Sequence, residues 1–113
     1  MLVQRADDQY HWEAPDTPEP PSVAARRMWY DTVGHGHVPA LRCAIDSFGA
    51  GRLLLGTDFP YENGDLFVRA VGYINDPQVE PSAARAILDQ NASALLGIGY
   101  EREETASSSA GTR

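Results

Sequence analysis

An α/β fold, with parallel strands flanked by helices, is what the sequence predicts, and three observations predict it. The run LLL within Arg52–Gly56 shows no polar alternation, as expected of a strand buried on both faces. On either side of it, apolar residues recur at helical spacing: Leu41, Ala44, Ile45 and Phe48 before, and Leu66, Phe67, Ala70, Val71 and Ile74 after. A second aromatic and apolar segment, MWYDT at Met28–Thr32, reads as another short strand ahead of the first helix. Strand, helix, strand, helix, helix is the order of a parallel sheet with its helices outside.

Each element has a local reason. Residues 1–21 are polar and carry prolines at Pro15, Pro18, Pro20 and Pro21, so an irregular connection with at most a helical turn before Asp7 is expected. Ser22–Arg27 suits a short helix with Ser22 as its N-cap. VGHGHVP, Val33 to Pro39, is too interrupted by glycine for either regular structure and is a loop. The helix Ala40–Phe48 should end at Gly49 in a left-handed conformation. After DFPYENGD the next helix runs to NDP at Asn75–Pro77. A last helix starts near Pro81, whose fixed φ suits a first helical position, and stops at Gly97. Residues 22–98 form the folded unit, and the small polar residues of 99–113 predict a disordered tail.

Composition narrows the function. A chain of 113 residues is one domain at most, and it buries roughly two-thirds of the surface its unfolded form exposes. The net charge of −7 and the pI near 4.7 argue against nucleic acid or an anionic membrane as partner, because both demand a basic face. All nine basic residues are arginine. The single cysteine, Cys43, excludes an internal disulfide and a four-cysteine zinc site, and with no leader or spanning segment visible a cytoplasmic protein is expected. No G-x-S-x-G motif is present, so a serine triad has no identifiable nucleophile elbow.

Three segments carry a recognisable pattern: MWYDTVGHGHVPAL at Met28–Leu41, FGAGRLLLGTDFPYENGD at Phe48–Asp65, and ILDQNASALLGI at Ile87–Ile98. Together they resemble the C-terminal part of the metal-dependent amidohydrolase superfamily, within it the branch of aminocarboxymuconate-semialdehyde decarboxylase and the resorcylate-type decarboxylases. PPSVAARRMWYDT and RAD at Arg5–Asp7 extend the resemblance over most of the chain. It implies a C-terminal fragment of a (β/α)8 TIM barrel, with Met28–Asp31 as the seventh strand, Arg52–Thr57 as the eighth, and active-site residues on the loops after them.

By that resemblance Asp58 is the aspartate that ends the eighth strand, binds the catalytic divalent metal (zinc first, manganese second) and accepts a proton. A carboxylate on a rigid strand end is a sound hard ligand; an aspartate there can equally cap a turn. His35 and His37 stand where relatives carry a histidine near the substrate. His35 has the better offset and a one-residue difference before Pro39 keeps His37 open, while a solvated loop histidine is the other reading of both. Asp31 reads as a strand-end turn residue, Glu62 as part of a solvated acidic loop, Asp65 as a first-turn acid of the next helix, and Asn91 as bonded locally where the last helix bends.

Relatives take further ligands from a first-strand His-x-His or Glu-x-His pair and a mid-barrel histidine, which this sequence lacks. The expected activity is hydrolysis or decarboxylation of a small carboxylated substrate in a full-length form, the chain alone being inactive. The alternatives are a non-catalytic module that pairs through unpaired strands or apolar faces, as a homo-oligomer or with a missing N-terminal chain, and a truncated product.

Overall fold

The computed structural model of the protein describes residues 2–13 and 16–99, and its first helix, α1 (Leu2–Glu13), corrects the irregular connection expected there. The prolines that suggested irregularity all lie at or beyond Pro15, so none interrupts α1. Its anchor is long-range: Asp7 Oδ1 accepts the Ser22 N–H at 2.8 Å, and bonding from Ser22 holds the Asp7 carboxyl below the ordinary aspartate range. That bond also explains why Ser22 is no N-cap. The short helix α2 (Pro21–Ala25) begins one residue earlier, with Pro20 at the cap, and the Ser22 amide is satisfied from α1.

Two strands follow, both shorter than predicted. β1 (Tyr30–Asp31) leads through α3 (Val38–Phe48) to β2 (Leu53–Leu54), and the strands pair in parallel, Tyr30 opposite Leu53 and Asp31 opposite Leu54. The crossover helix is what a parallel pair requires. Its Leu41 is buried, and Phe48 stacks on Tyr30 with ring centroids 4.1 Å apart. Gly49 ends α3 at φ 86°, but its ψ of 143° places it in an extended glycine-only region instead of the left-handed helical one. A single 3₁₀ turn, Ala50–Arg52, then turns the chain into β2.

The two faces of this pair differ. Tyr30 and Leu53 share the side that packs on the helices, and Leu53 is fully buried. Asp31 is exposed and Leu54 half-buried on the other side, with Leu55 exposed beyond the strand, so only one face of the LLL run is sealed.

α4 (Gly64–Gly72) carries Asp65 in its first turn and passes into a 3₁₀ turn, Tyr73–Asn75. Ala70, Tyr73 and Ile74 are buried, whereas Leu66, Phe67 and Val68 are exposed. The predicted apolar face is therefore covered only along its C-terminal half. α5 (Pro81–Arg85) starts with proline as expected, and α6 (Asn91–Leu96) stops at Gly97, left-handed at φ 66° and ψ 26°.

Between α5 and α6 the helix takes one π turn, Ala86–Gln90, which the sequence did not announce. The Asn91 N–H bonds to the Ala86 carbonyl five residues back, so the Ile87 carbonyl does not receive it and instead accepts the Leu55 N–H at 3.2 Å. Asn91 is bonded at long range, contrary to the local bonding expected. Its Nδ2 donates to the carbonyls of Ala50 (2.7 Å) and Leu53 (2.8 Å), thirty-eight or more residues away. The core gathers around Leu41, Leu53, Ile74, Val79, Ala84 and Ile87. No described helix is long and apolar enough to cross a membrane. Residues 100–113, nearly all of the predicted disordered tail, lie outside the described residues.

Candidate active site

Both strands end at the same side of the molecule, and Thr32 ties those ends together. Its N–H donates to the Leu54 carbonyl (3.0 Å), its Oγ1 accepts the Gly56 N–H (3.2 Å), and its carbonyl accepts the Tyr73 hydroxyl (2.5 Å). Sequence reasoning did not single out Thr32; the one available signal was a β-branched hydroxyl residue at a strand end. The approach is close enough to need glycine in the segment just after β2, since a Cβ at Gly56 would lie 2.9 Å from the Asp31 Cβ. Asp31 itself closes a turn, its Oδ1 accepting the Val33 N–H at 3.0 Å.

Tyr73 is the pillar under this junction. Removing its hydroxyl in Tyr73→Phe is expected to cost about 1–2 kcal/mol in urea denaturation at neutral pH, through the lost bond to the Thr32 carbonyl. Burial, with the nearby Asp31 charge adding to it, raises the Tyr73 phenol above its ordinary value. Stability attached to the neutral phenol is therefore complete below about pH 10 and falls as pH rises through the folded-state value. The phenylalanine variant should lack that alkaline decline.

From the end of β2 the chain passes through Thr57 to Asp58, an exposed residue at φ 58°. A turn follows in which the Glu62 N–H donates to the Asp58 carbonyl at 3.0 Å. Phe59 packs edge-on against Phe67 of α4 at 5.6 Å. Tyr61 is solvated, but Glu62 is only 6% exposed, which corrects the expectation of a wholly solvated acidic loop. The burial follows from a partner across the site: His35 Nδ1 faces Glu62 Oε1, an ion pair whenever the imidazole is protonated.

The two histidines occupy different stations. His35 sits in the loop after β1 at φ 52°, its ring largely exposed beyond the contact with Glu62. His37 is the N-cap residue of α3, exposed, and its carbonyl accepts the N–H groups of Ala40 and Leu41. Between them Gly36, at φ 71°, lies so near α4 that a Cβ there would be 2.7 Å from the Arg69 Cγ. The loop after β1 thus meets the loop after β2 at His35 with Glu62, and meets α4 at Gly36 with Arg69.

A cavity of about 170 Å³ opens beside this region, lined among others by Asp31, Thr32, Leu41, Leu53 and Tyr73. Asp58 and the histidines do not line it, so it is a packing space under the strand ends. Residues 4–98 match the family described as Amidohydrolase. The chain belongs to the amidohydrolase family. That match spans well over half of the 113 residues. No curated protein matches the chain.

Members of the amidohydrolase family generally use divalent metals. Among the described residues no three His, Cys, Asp or Glu side chains converge, so the donors present do not make the three-ligand set of a catalytic zinc site. Asp58 has the chemistry of a ligand and lacks the company of one.

Proposed function

We propose that this amidohydrolase chain is the C-terminal strand–helix portion of a (β/α)8 barrel whose full-length form hydrolyses or decarboxylates a small carboxylated substrate, and that the chain alone is inactive. The observation that carries the reading is the family match over residues 4–98, joined to the parallel β1–α3–β2 unit whose following loop carries Asp58. The unsealed strand face of Asp31 and Leu54 supports it, as the face a closed barrel covers. In this reading β1 and β2 are the seventh and eighth strands, and Asp58 is one ligand of a divalent ion, zinc or manganese, as well as a proton acceptor. His35 stands on the substrate side, and His37, at the head of α3, is its neighbour there.

The test begins with the DNA upstream of the Met1 codon. An in-frame extension encoding a first-strand His-x-His or Glu-x-His and a mid-barrel histidine is expected. The extended protein should then hold metal that Asp58→Asn loses. A stop codon in that position removes the enzyme reading.

A second reading, a non-catalytic interaction module, draws on the exposed Leu66, Phe67 and Val68 of α4. Size-exclusion chromatography with light scattering separates the two. A defined oligomer of the chain as it stands favours the module.

A further inference from the structure

We propose that Glu62 is the positioning residue of His35: its buried carboxylate accepts the Nδ1–H, holds the ring in that tautomer, and leaves Nε2 as the ring nitrogen offered to a ligand. Burial is the first argument. The Glu62 side chain is 8% exposed, and its Oε1 is fully enclosed, has no hydrogen-bond partner among the described residues, and faces the His35 Nδ1 as the adjacent nitrogen. An acceptor stranded from water without a donor is costly, so the contact with His35 is what makes this burial tolerable.

The backbone supplies the second argument. His35 and Gly36 are consecutive residues at positive φ, 52° and 71°, and a residue with a Cβ adopts that region only where its surroundings hold it there. Two contacts do so: the carboxylate on the His35 ring, and the Arg69 side chain against Gly36 in space that a Cβ would fill. The loop after β1 is thereby fixed to the loop and helix after β2.

The third argument is chemical. A neutral imidazole carries one N–H and one bare nitrogen, and the partner of one nitrogen decides the state of the other. With Nδ1–H committed to Glu62, every proton the exposed ring exchanges with a ligand passes at Nε2. The neutral ring accepts there from a substrate hydroxyl, and the protonated ring donates there to a substrate carboxylate. This functional consequence rests on the reading of His35 as a substrate-side residue; the positioning itself does not.

Nitrogen-15 spectra of the neutral histidine rings in the full chain test the proposal. Wild-type His35 should carry its proton on Nδ1. Glu62→Gln keeps an acceptor oxygen and should preserve that pattern, whereas Glu62→Ala should move the proton to Nε2 in most molecules and leave His37 unchanged. A wild-type ring protonated on Nε2, or a Glu62→Ala ring still protonated on Nδ1, overturns the proposal. A tautomer that follows Glu62, together with an unchanged kcat/KM for His35→Gln in the extended enzyme, keeps the positioning and removes the substrate-side reading.

Discussion

Asn91→Ala should unfold at markedly lower urea than the wild-type chain, with a loss of about 2–4 kcal/mol and an unchanged slope of the transition. The side-chain amide is buried and donates both its protons, one to the Ala50 carbonyl and one to that of Leu53. Each bond contributes about 1 kcal/mol net, and truncation adds the penalty of a Leu53 carbonyl left without a donor, while the Ala50 carbonyl keeps the Leu53 N–H. Asn91→Asp sharpens the argument. It is nearly the same size, but an ionised carboxylate only accepts, and it would face two carbonyl oxygens. The aspartate variant should therefore be at least as unstable as the alanine variant, whereas a merely space-filling role for Asn91 predicts that it is tolerated. Against a total stability of roughly 5–15 kcal/mol for a domain, either change removes a large share.

Ile74→Ala is the second large effect, expected at about 2–5 kcal/mol, with Ile74→Val at about 0.5–1.5. Ile74 is fully buried in the 3₁₀ turn after α4 and belongs to the cluster that contains Leu41, Leu53 and Ile87. The ratio of the two losses is the informative quantity. Removing one methyl tests local packing, while removing the whole branch leaves a cavity that the surrounding Leu41, Leu53 and Ile87 would have to close. Matched losses in the two variants would mean that Ile74 acts through turn geometry and not through packing.

Much of the architecture was legible because it rests on local chemistry. Apolar spacing gave the two crossover-flanking helices, Pro81 marked where α5 begins, and Gly97 marked where α6 ends. What escaped depends on residues far apart in the chain. α1 is anchored from Asp7 to Ser22, across the proline-rich segment that suggested irregularity. The partners of Asn91 lie around β2, and no local pattern reports them. Glu62 looked solvated because its neighbours Tyr61 and Asn63 are exposed; its burial arises from a histidine 27 positions earlier. The placement of Asp58 after β2 could be read from the abrupt change after LLLG, although the strand stops at Leu54, and the missing partner ligands were already legible in the sequence; among the described residues the structure brings no other donors into their place.

The π turn has a consequence for how the sheet can grow. Backbone groups along a strand point alternately to its two edges, and those of Leu54 face β1. On the far edge, the Leu53 N–H bonds to Ala50, the Leu53 carbonyl to Asn91, and the Leu55 N–H to Ile87. The last helix thus plugs that edge with one side chain and one carbonyl released by its own change of register. An incoming strand, whether from another copy or from the rest of a barrel, meets these three groups already bonded. The plug protects a short strand from adventitious pairing, and any strand that docked there would exchange helix-borne bonds for its own.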